Sequence, residues 1–384
     1  MVDIGLNPFQ VGILKCLEPV TIFTTSPIWG SIADKFNVRK GLLILCALGS
    51  ALCFPLVILV PPVNLLETDE VENTSMRDMQ VRNFSDVYGP SGQYLNVSEN
   101  PGLVNREEWK PSIFTQASLI TFTLIGILTL IDNIFVAGFL PLLDSSTMEL
   151  CRRYPGTSYG GQRWLGAFAV VVFSPIAGFL FDWFENSDIN LGDTYFLHSK
   201  YLPSFVLFTI LMLVSVIPVC LMEVLPSKAS PSISRELLVL FKDLHIVLTF
   251  VLFIVVGMCK GIVVAFLFIY LEELKASSML MSLSLVITCL AETPCLIASG
   301  KVIEKLGYEV VFASGLFAYI VRLLGYSLLE NPWMVLLIEP LHGVCYGLIW
   351  PCCTEYANHI APEGMSSTLQ SLAHAAKAGV GTIA

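Results

Sequence analysis

Charge is what this chain has least of. Asp, Glu, Lys and Arg make up 14% of its 384 residues, against roughly a quarter in a soluble domain. The charge present leans acidic, 31 Asp and Glu against 21 Lys and Arg, for a net −10. No basic stripe stands ready to neutralise phosphates, which argues against a nucleic-acid partner. Of the eleven cysteines, none lies in the polar stretches 63–112 and 183–202, so no disulfide framework is expected there. There is no Cys-x-x-Cys pair, no His-Glu-x-x-His element and no glycine-rich phosphate loop. No metal, no cofactor and no enzymatic chemistry are therefore expected.

What the chain has in excess is apolar length. Hydrophobic residues account for 55% of it and the mean hydropathy is +0.73. A bilayer core of about 30 Å is crossed by roughly 20 apolar residues in a helix. That measure predicts helices near 9–33, 41–62, 114–142, 164–182, 203–222, 245–271, 277–299, 308–329 and 333–356, with a tenth run from about 366. The class is an all-α, multi-pass membrane protein in contact with a lipid bilayer.

A short motif recurs between these runs. Gly30, Asp34, Lys35 and Asn37 align without a gap with Gly300, Glu304, Lys305 and Gly307. An internal repeat at half-chain scale points, in a membrane protein, to duplicated bundles. Lys/Arg excess marks the cytoplasmic side, and Lys35, Arg39, Lys40, Arg152, Arg153, Arg163, Lys301 and Lys305 fall in loops on one side. The opposite side holds the 63–112 loop, where Asn73, Asn83 and Asn96 each open an Asn-x-Ser/Thr acceptor. Both signals place that loop outside and the motif inside.

Gly30, Asp34, Lys35, Arg39 and Lys40 together resemble the loop motif between the second and third helices of the major facilitator superfamily. Asn37 stands where the family has a second glycine, and Asn also reaches left-handed geometry. Tyr159-Gly-Gly-Gln-Arg-Trp-Leu-Gly166, Gly178-Phe-Leu-Phe-Asp182 and Pro362-Glu-Gly-Met-Ser-Ser-Thr-Leu-Gln370 are similar to one subgroup, the MFS_1-like proteins. The resemblance implies twelve helices in two six-helix bundles of inverted repeats, of which about ten are visible, the first and the C-terminal end lacking counterparts. It implies an N-terminal bundle at 1–222, a cytoplasmic linker at 223–244 with a short amphipathic helix over 236–245, and a C-terminal bundle at 245–384. It also implies a cytoplasmic gate: Asp34 meeting the helix N-terminus near Pro362 to Ser366, with Gly300, Glu304 and Lys305 as the repeat counterpart.

Ionisable groups inside apolar helices are costly and mark function by default. Here they are Lys15, Glu18, Asp132, Lys260, Glu292, Arg322, Glu339, His342, His374 and Lys377. Arg322 and Glu339 fall at equal depth, each roughly 10 Å inside a helix end, which predicts an ion pair. Glu339 and His342 are three apart on one face, a candidate proton site; a bridge that merely locks the bundle fits the Arg322–Glu339 pair equally. In the family the cavity-lining helices would turn Asp132, Lys260, Glu339 and His342 inward. Asp132, Lys260, Arg322, Glu339 and His342 are thus the expected solute and proton pathway.

Two functions follow. One is secondary transport of a small solute by alternating access, with proton coupling, at the plasma membrane. The other is a surface receptor that keeps the transporter fold and binds an extracellular ligand at loop 63–112. If the three sequons face outward, glycosidase treatment of the full-length protein expressed in animal cells lowers its apparent mass. Labelling of the Asn83 loop only after permeabilisation would reverse the orientation.

Overall fold

In the computed structural model the described residues are 6–63, 116–185, 201–223 and 233–383, and among them every regular element is helical. The helices are α1 (Pro8–Phe36), α2 (Arg39–Cys53, continued by a 3₁₀ turn Phe54–Leu59), α3 (Gln116–Arg153), α4 (Gly160–Glu185) and α5 (Leu202–Leu221). There follow α6 (Ile233–Leu240), α7 (Leu244–Glu273), α8 (Ser278–Ser327), α9 (Pro332–Ile360) and α10 (366–383). Among the described residues seven helical segments are long and apolar enough to cross a membrane. Their outward faces are apolar too: Phe179 is 69% exposed and Leu221 78%. Side chains of that kind face lipid, not water. The three sequons, and the 63–112 loop from residue 64 onward, lie outside the described residues.

Several boundaries differ from the sequence reading. The helix expected to stop near 142 continues to Arg153, because hydropathy reports where the hydrocarbon ends and not where helical hydrogen bonding ends. Asp144, Arg152 and Arg153 are therefore helical. Arg163, read as a loop charge before a helix at 164, lies in the first turn of α4. The two helices expected at 277–299 and 308–329 are both present within α8, divided at Gly307, whose φ of 79° and ψ of 164° are not helical. The linker helix is shorter than expected and ends at Leu240; Asp243 then caps α7 by accepting from the His245 amide at 2.9 Å. Ile233, Leu237 and Leu240 pack on apolar core, not open surface.

Chain contacts define two compact units. In the first, Met1–Lys15 with Leu59–Ile127, Thr121 donates to the Pro61 carbonyl at 3.0 Å and Leu14 packs beside Gly126. The second, Cys16–Ile58 with Leu128–Ala384, holds four apolar clusters among its described residues, two of which each join four helices or more. Ala33, Leu43, Leu142 and Val219 join α1, α2, α3 and α5. Phe250, Phe253, Phe312, Ile349, Cys352 and Leu369 are central to the other, which joins α7, α8, α9 and α10. Small residues set the closest crossings. A Cβ on Gly343 would strike the Ala291 carbonyl, and one on Gly257 the Lys377 carbonyl, so these glycines serve packing. Gly138 admits the Trp29 ring, whose indole N–H donates to the Ile134 carbonyl at 2.7 Å.

The repeat is visible in the backbone. Asn37 (φ 55°) and its counterpart Gly307 (φ 79°) both adopt positive φ just past the basic cluster. A left-handed residue costs a branched side chain about 1–2 kcal/mol. Asn37→Gly should leave the melting temperature of the purified full-length protein unchanged or higher, whereas Asn37→Val should lower it by several degrees. Equal melting of the two variants would show that the turn imposes no left-handed requirement.

A candidate solute site and the end that closes it

The motif end is sealed by hydrogen bonds from both halves of the second unit. Helix α10 begins without a side-chain cap of its own, leaving its first amides unsatisfied. Asp34 supplies the cap from α1: its carboxylate accepts from the Ser367 amide at 3.2 Å, the Thr368 amide at 2.7 Å and the Thr368 hydroxyl at 2.8 Å. An anion at a helix N-terminus is stabilised by both hydrogen bonds and dipole. Arg39, itself 1% exposed, donates to the same carboxylate at 2.9 Å and fixes it. Ser145 meets Ser367 at 3.1 Å, Ser26 donates to the Ser371 carbonyl, and Arg152 donates to the Asn358 carbonyl. Gly30 lets α1 approach Ser367 and Ser371 closely. Lys40 closes the end of α5 by donating to the Cys220 and Met222 carbonyls, and Lys35 lies over Phe36.

The second copy of the motif is built differently. Gly300 packs against Ser158, but Ser158 caps α4 from within its own chain segment by accepting from Gly161 at 3.1 Å. With that cap in place Glu304 has no role like that of Asp34; it and Lys305 are exposed. Glu304 lines, with Lys301, Arg152, Glu355 and Tyr159, a polar pocket of about 580 Å³.

Three of the expected pathway residues assemble into a closed network. The Glu339 carboxylate accepts from Arg322 at 2.7 Å, Thr288 at 2.6 Å and Tyr326 at 2.7 Å. Arg322 also donates to the Tyr326 hydroxyl at 2.7 Å and lies 2.8 Å from Nδ1 of His342. With arginine as donor, Nδ1 accepts and the imidazole proton sits on Nε2, which faces Glu292 at 3.6 Å. Arg322 and Glu339 are 3% and 1% exposed. Breaking a buried pair of this kind costs about 3–5 kcal/mol, so the network ties α8 to α9. Asp132 stands apart, accepting from Ser50 of α2 at 2.6 Å. The structure does not bring Asp132, Arg322 or Glu339 together with Lys260.

Lys260 joins another group instead. Around the indole of Trp350 stand three cations: the Lys377 ammonium 3.1 Å from the ring centroid, the Arg163 guanidinium at 5.0 Å and the Lys260 ammonium at 5.8 Å. Lys260 also lies 4.8 Å over Tyr346, which packs on Trp350 and stacks on His342. His374 meets Trp350 edge-on. The Trp350 N–H donates to the Tyr159 hydroxyl at 2.9 Å, and Tyr159 donates to Asp144 at 2.7 Å, with Arg163 3.8 Å from the same carboxylate. Burial and the Asp144 charge raise the Tyr159 phenol well above its ordinary value, so it stays neutral and keeps both bonds. Tyr159 also lines the motif-end pocket and thus lies between that pocket and the cluster.

Two helices are rewound at this place. A π-helical stretch runs over Gly343–Leu348 in α9, carrying Tyr346, and another over Ala375–Val380 in α10, carrying Lys377. Such stretches are rare and gather at functional sites. Lys377 is 7% exposed and, among the described residues, has no carboxylate or hydrogen-bond partner. A desolvated cation–π contact returns about 2 kcal/mol, less than the several kcal/mol that burying an ion costs. The sequence reading selected Lys260 here and counted His374 and Lys377 among the membrane charges without choosing them. It missed Arg163 and Asp144 by placing them in loops, and Trp350 because an aromatic in an apolar run carries no signal.

These features define a class, the all-helical multi-pass membrane proteins of the major facilitator fold. The chain belongs to the MFS_1 like family, which it matches over residues 1–384. It is 26% identical over 291 residues to major facilitator superfamily domain-containing protein 6-like protein A of Xenopus laevis, covering 73% of this chain and 47% of that one. It is 24% identical over 309 residues to the 6-like protein B of the same species, covering 78% and 49%. The chain thus spans about half the length of the curated relatives it matches. In fold it is similar to a point mutant of the nucleoside transporter NupG, with a TM-score of 0.57 at 12% identity over 100% of this chain and 82% of that one. A bacterial homologue of the iron transporter ferroportin, outward-facing with soaked iron, gives 0.52 at 14% identity over 97% and 81%.

Removing the Asp34 charge while keeping its shape tests the seal. A charge-assisted hydrogen bond contributes about 1.5–3 kcal/mol, so Asp34→Asn should raise the alkylation rate of a reporter cysteine at Ser145 in the full-length protein, with surface expression unchanged. An unaltered rate would reduce Asp34 to a loop charge.

Proposed function

We propose that the protein is a secondary transporter of a small solute, working by alternating access between a bundle at 1–222 and one at 245–384 joined by the linker 223–244. The observation that carries this reading is the Trp350 cluster. Charged and aromatic side chains from α3, α4, α7, α9 and α10 converge on it, and the hydrogen-bonded seal of Asp34 on α10 lies toward the motif end. A solute held there touches both halves of the chain, and breaking the Asp34, Ser145 and Arg152 contacts would open the route toward the cytoplasm. Asp34 is suited to such a reversible closure because its partners on α10 are two backbone amides and a hydroxyl, which water can replace, while Arg39 stays with it.

Proton coupling, expected at Glu339 with His342, is better served by Glu292 with His342. Glu339 already accepts from three donors and ties α8 to α9, so its network acts as a lock. Glu292 is half-buried and faces the imidazole N–H across 3.6 Å, and an imidazole is the side chain that titrates nearest neutral pH. The 63–112 loop and its extracellular ligand belong to the receptor alternative, which rests on residues outside the described ones from 64 onward. Plasma-membrane residence and N-glycosylation at Asn73, Asn83 and Asn96 complete the proposal.

The assay is solute uptake by liposomes containing the full-length protein, with and without an imposed proton gradient. Glu292→Gln should abolish gradient-driven accumulation and spare exchange, since exchange moves no net proton. Glu339→Gln should keep gradient dependence but lower thermal stability. Accumulation unaffected by Glu292→Gln would refute the coupling assignment, and absence of any uptake by folded protein would refute transport.

A further inference from the structure

The cluster around Trp350 is unbalanced in charge. Three cations surround one ring, and the acid hydrogen-bonded into the group, Asp144, is shared between Tyr159 and Arg163. Glu292, the other nearby carboxylate, faces His342. Neither Lys260 nor Lys377 has a carboxylate or hydrogen-bond partner among the described residues, and both rest on aromatic faces. Lys377 is more than nine-tenths buried. Purely structural cations in membrane helices are normally paired or reach the interface; these do neither.

We infer that the solute is a small organic oxyanion, bearing carboxylate or phosphate, whose charged group is taken up by Lys377 and Lys260 with Arg163 completing the set. The inference rests on the transporter reading for the word solute, but the anion site stands on the geometry alone. The indole face holds the Lys377 ammonium. An arriving oxyanion offers it full hydrogen bonds and draws it off the ring, freeing the Trp350 and Tyr346 faces for the solute's carbon skeleton. The three cations come from α4, α7 and α10, so one anion gathers helices from both halves of the chain. Asp144 keeps Arg163 oriented through its 3.8 Å contact. His374 and His342 border the site and, as neutral imidazoles, offer further hydrogen bonds.

Thermal unfolding of the purified full-length protein tests the anion site with succinate, citrate and glycerol phosphate as probes, each against potassium chloride of equal ionic strength and uncharged succinamide. At least one oxyanion should raise the melting temperature above the chloride control. Lys377→Gln and Lys260→Gln should each weaken its half-saturating concentration about tenfold or more, while Lys377→Arg retains most of the effect and the surface change Lys242→Gln leaves it intact. The carboxylate and phosphate arms decide which headgroup the site takes. A folded protein that no oxyanion stabilises beyond chloride, or stabilisation untouched in both glutamine variants, overturns the inference. Counterflow of the same probes in liposomes separates it from the transport reading. Succinamide moving at a rate indifferent to Lys377→Gln would sink the anion and leave transport standing. Lysine-dependent binding without counterflow would leave the anion site standing and sink transport.

Discussion

Inside a lipid-facing helix bundle a buried ion must find a partner or remain at high energy, and the arrangement of this protein follows from how each of its ions meets that condition. Asp34 meets it with the amides of another helix. Arg322 and Glu339 meet it with each other and with hydroxyls of Thr288 and Tyr326. Asp132 takes one hydroxyl, from Ser50. Lys260 and Lys377 meet it incompletely, on aromatic rings. The roles follow: the contacts of Asp34 and of Arg322 with Glu339 fix helices, and the two lysines that rest on rings are where a ligand has most to offer.

The two motif copies show how a duplicated element diverges. Both end in a residue with positive φ, and both bring a glycine against a serine of a distant segment. They part at the acidic position. Helix α10 lacks a cap of its own and recruits Asp34, whereas α4 carries Ser158 and needs none from Glu304. One copy has become a bridge between halves; the other borders an open polar pocket. Helix termini thus determine which copy closes the end, because unsatisfied amides are what an acidic side chain seeks.

Irregular helix geometry gathers around the Trp350 cluster. Pro340 sits in a 3₁₀ turn at Glu339–Leu341, followed by the π stretch of α9, and α10 carries its own π stretch opposite. Each changes the direction in which side chains leave the helix by part of a turn. Tyr346 and Lys377, which reach the same indole, both leave from these rewound stretches. Rewound turns have fewer well-aligned backbone bonds, which suits segments that rearrange between states.

Composition and apolar run length by themselves determined the class, since nothing but a bilayer tolerates so many lipid-length apolar segments. The motif residues determined the local geometry at Asn37, and the depths of Arg322 and Glu339 determined that these two would pair. Sequence periodicity does not report where a helix ends once it leaves the hydrocarbon, so Asp144 and Arg163 passed for loop charges. It equally hides the π turns that aim Tyr346 and Lys377. Tertiary structure alone decided that Lys260 belongs with Arg163 and Lys377 on Trp350 and not with Glu339, because which charges meet depends on how helices distant in sequence are rotated and packed, and glycines such as Gly257 and Gly343 set that packing.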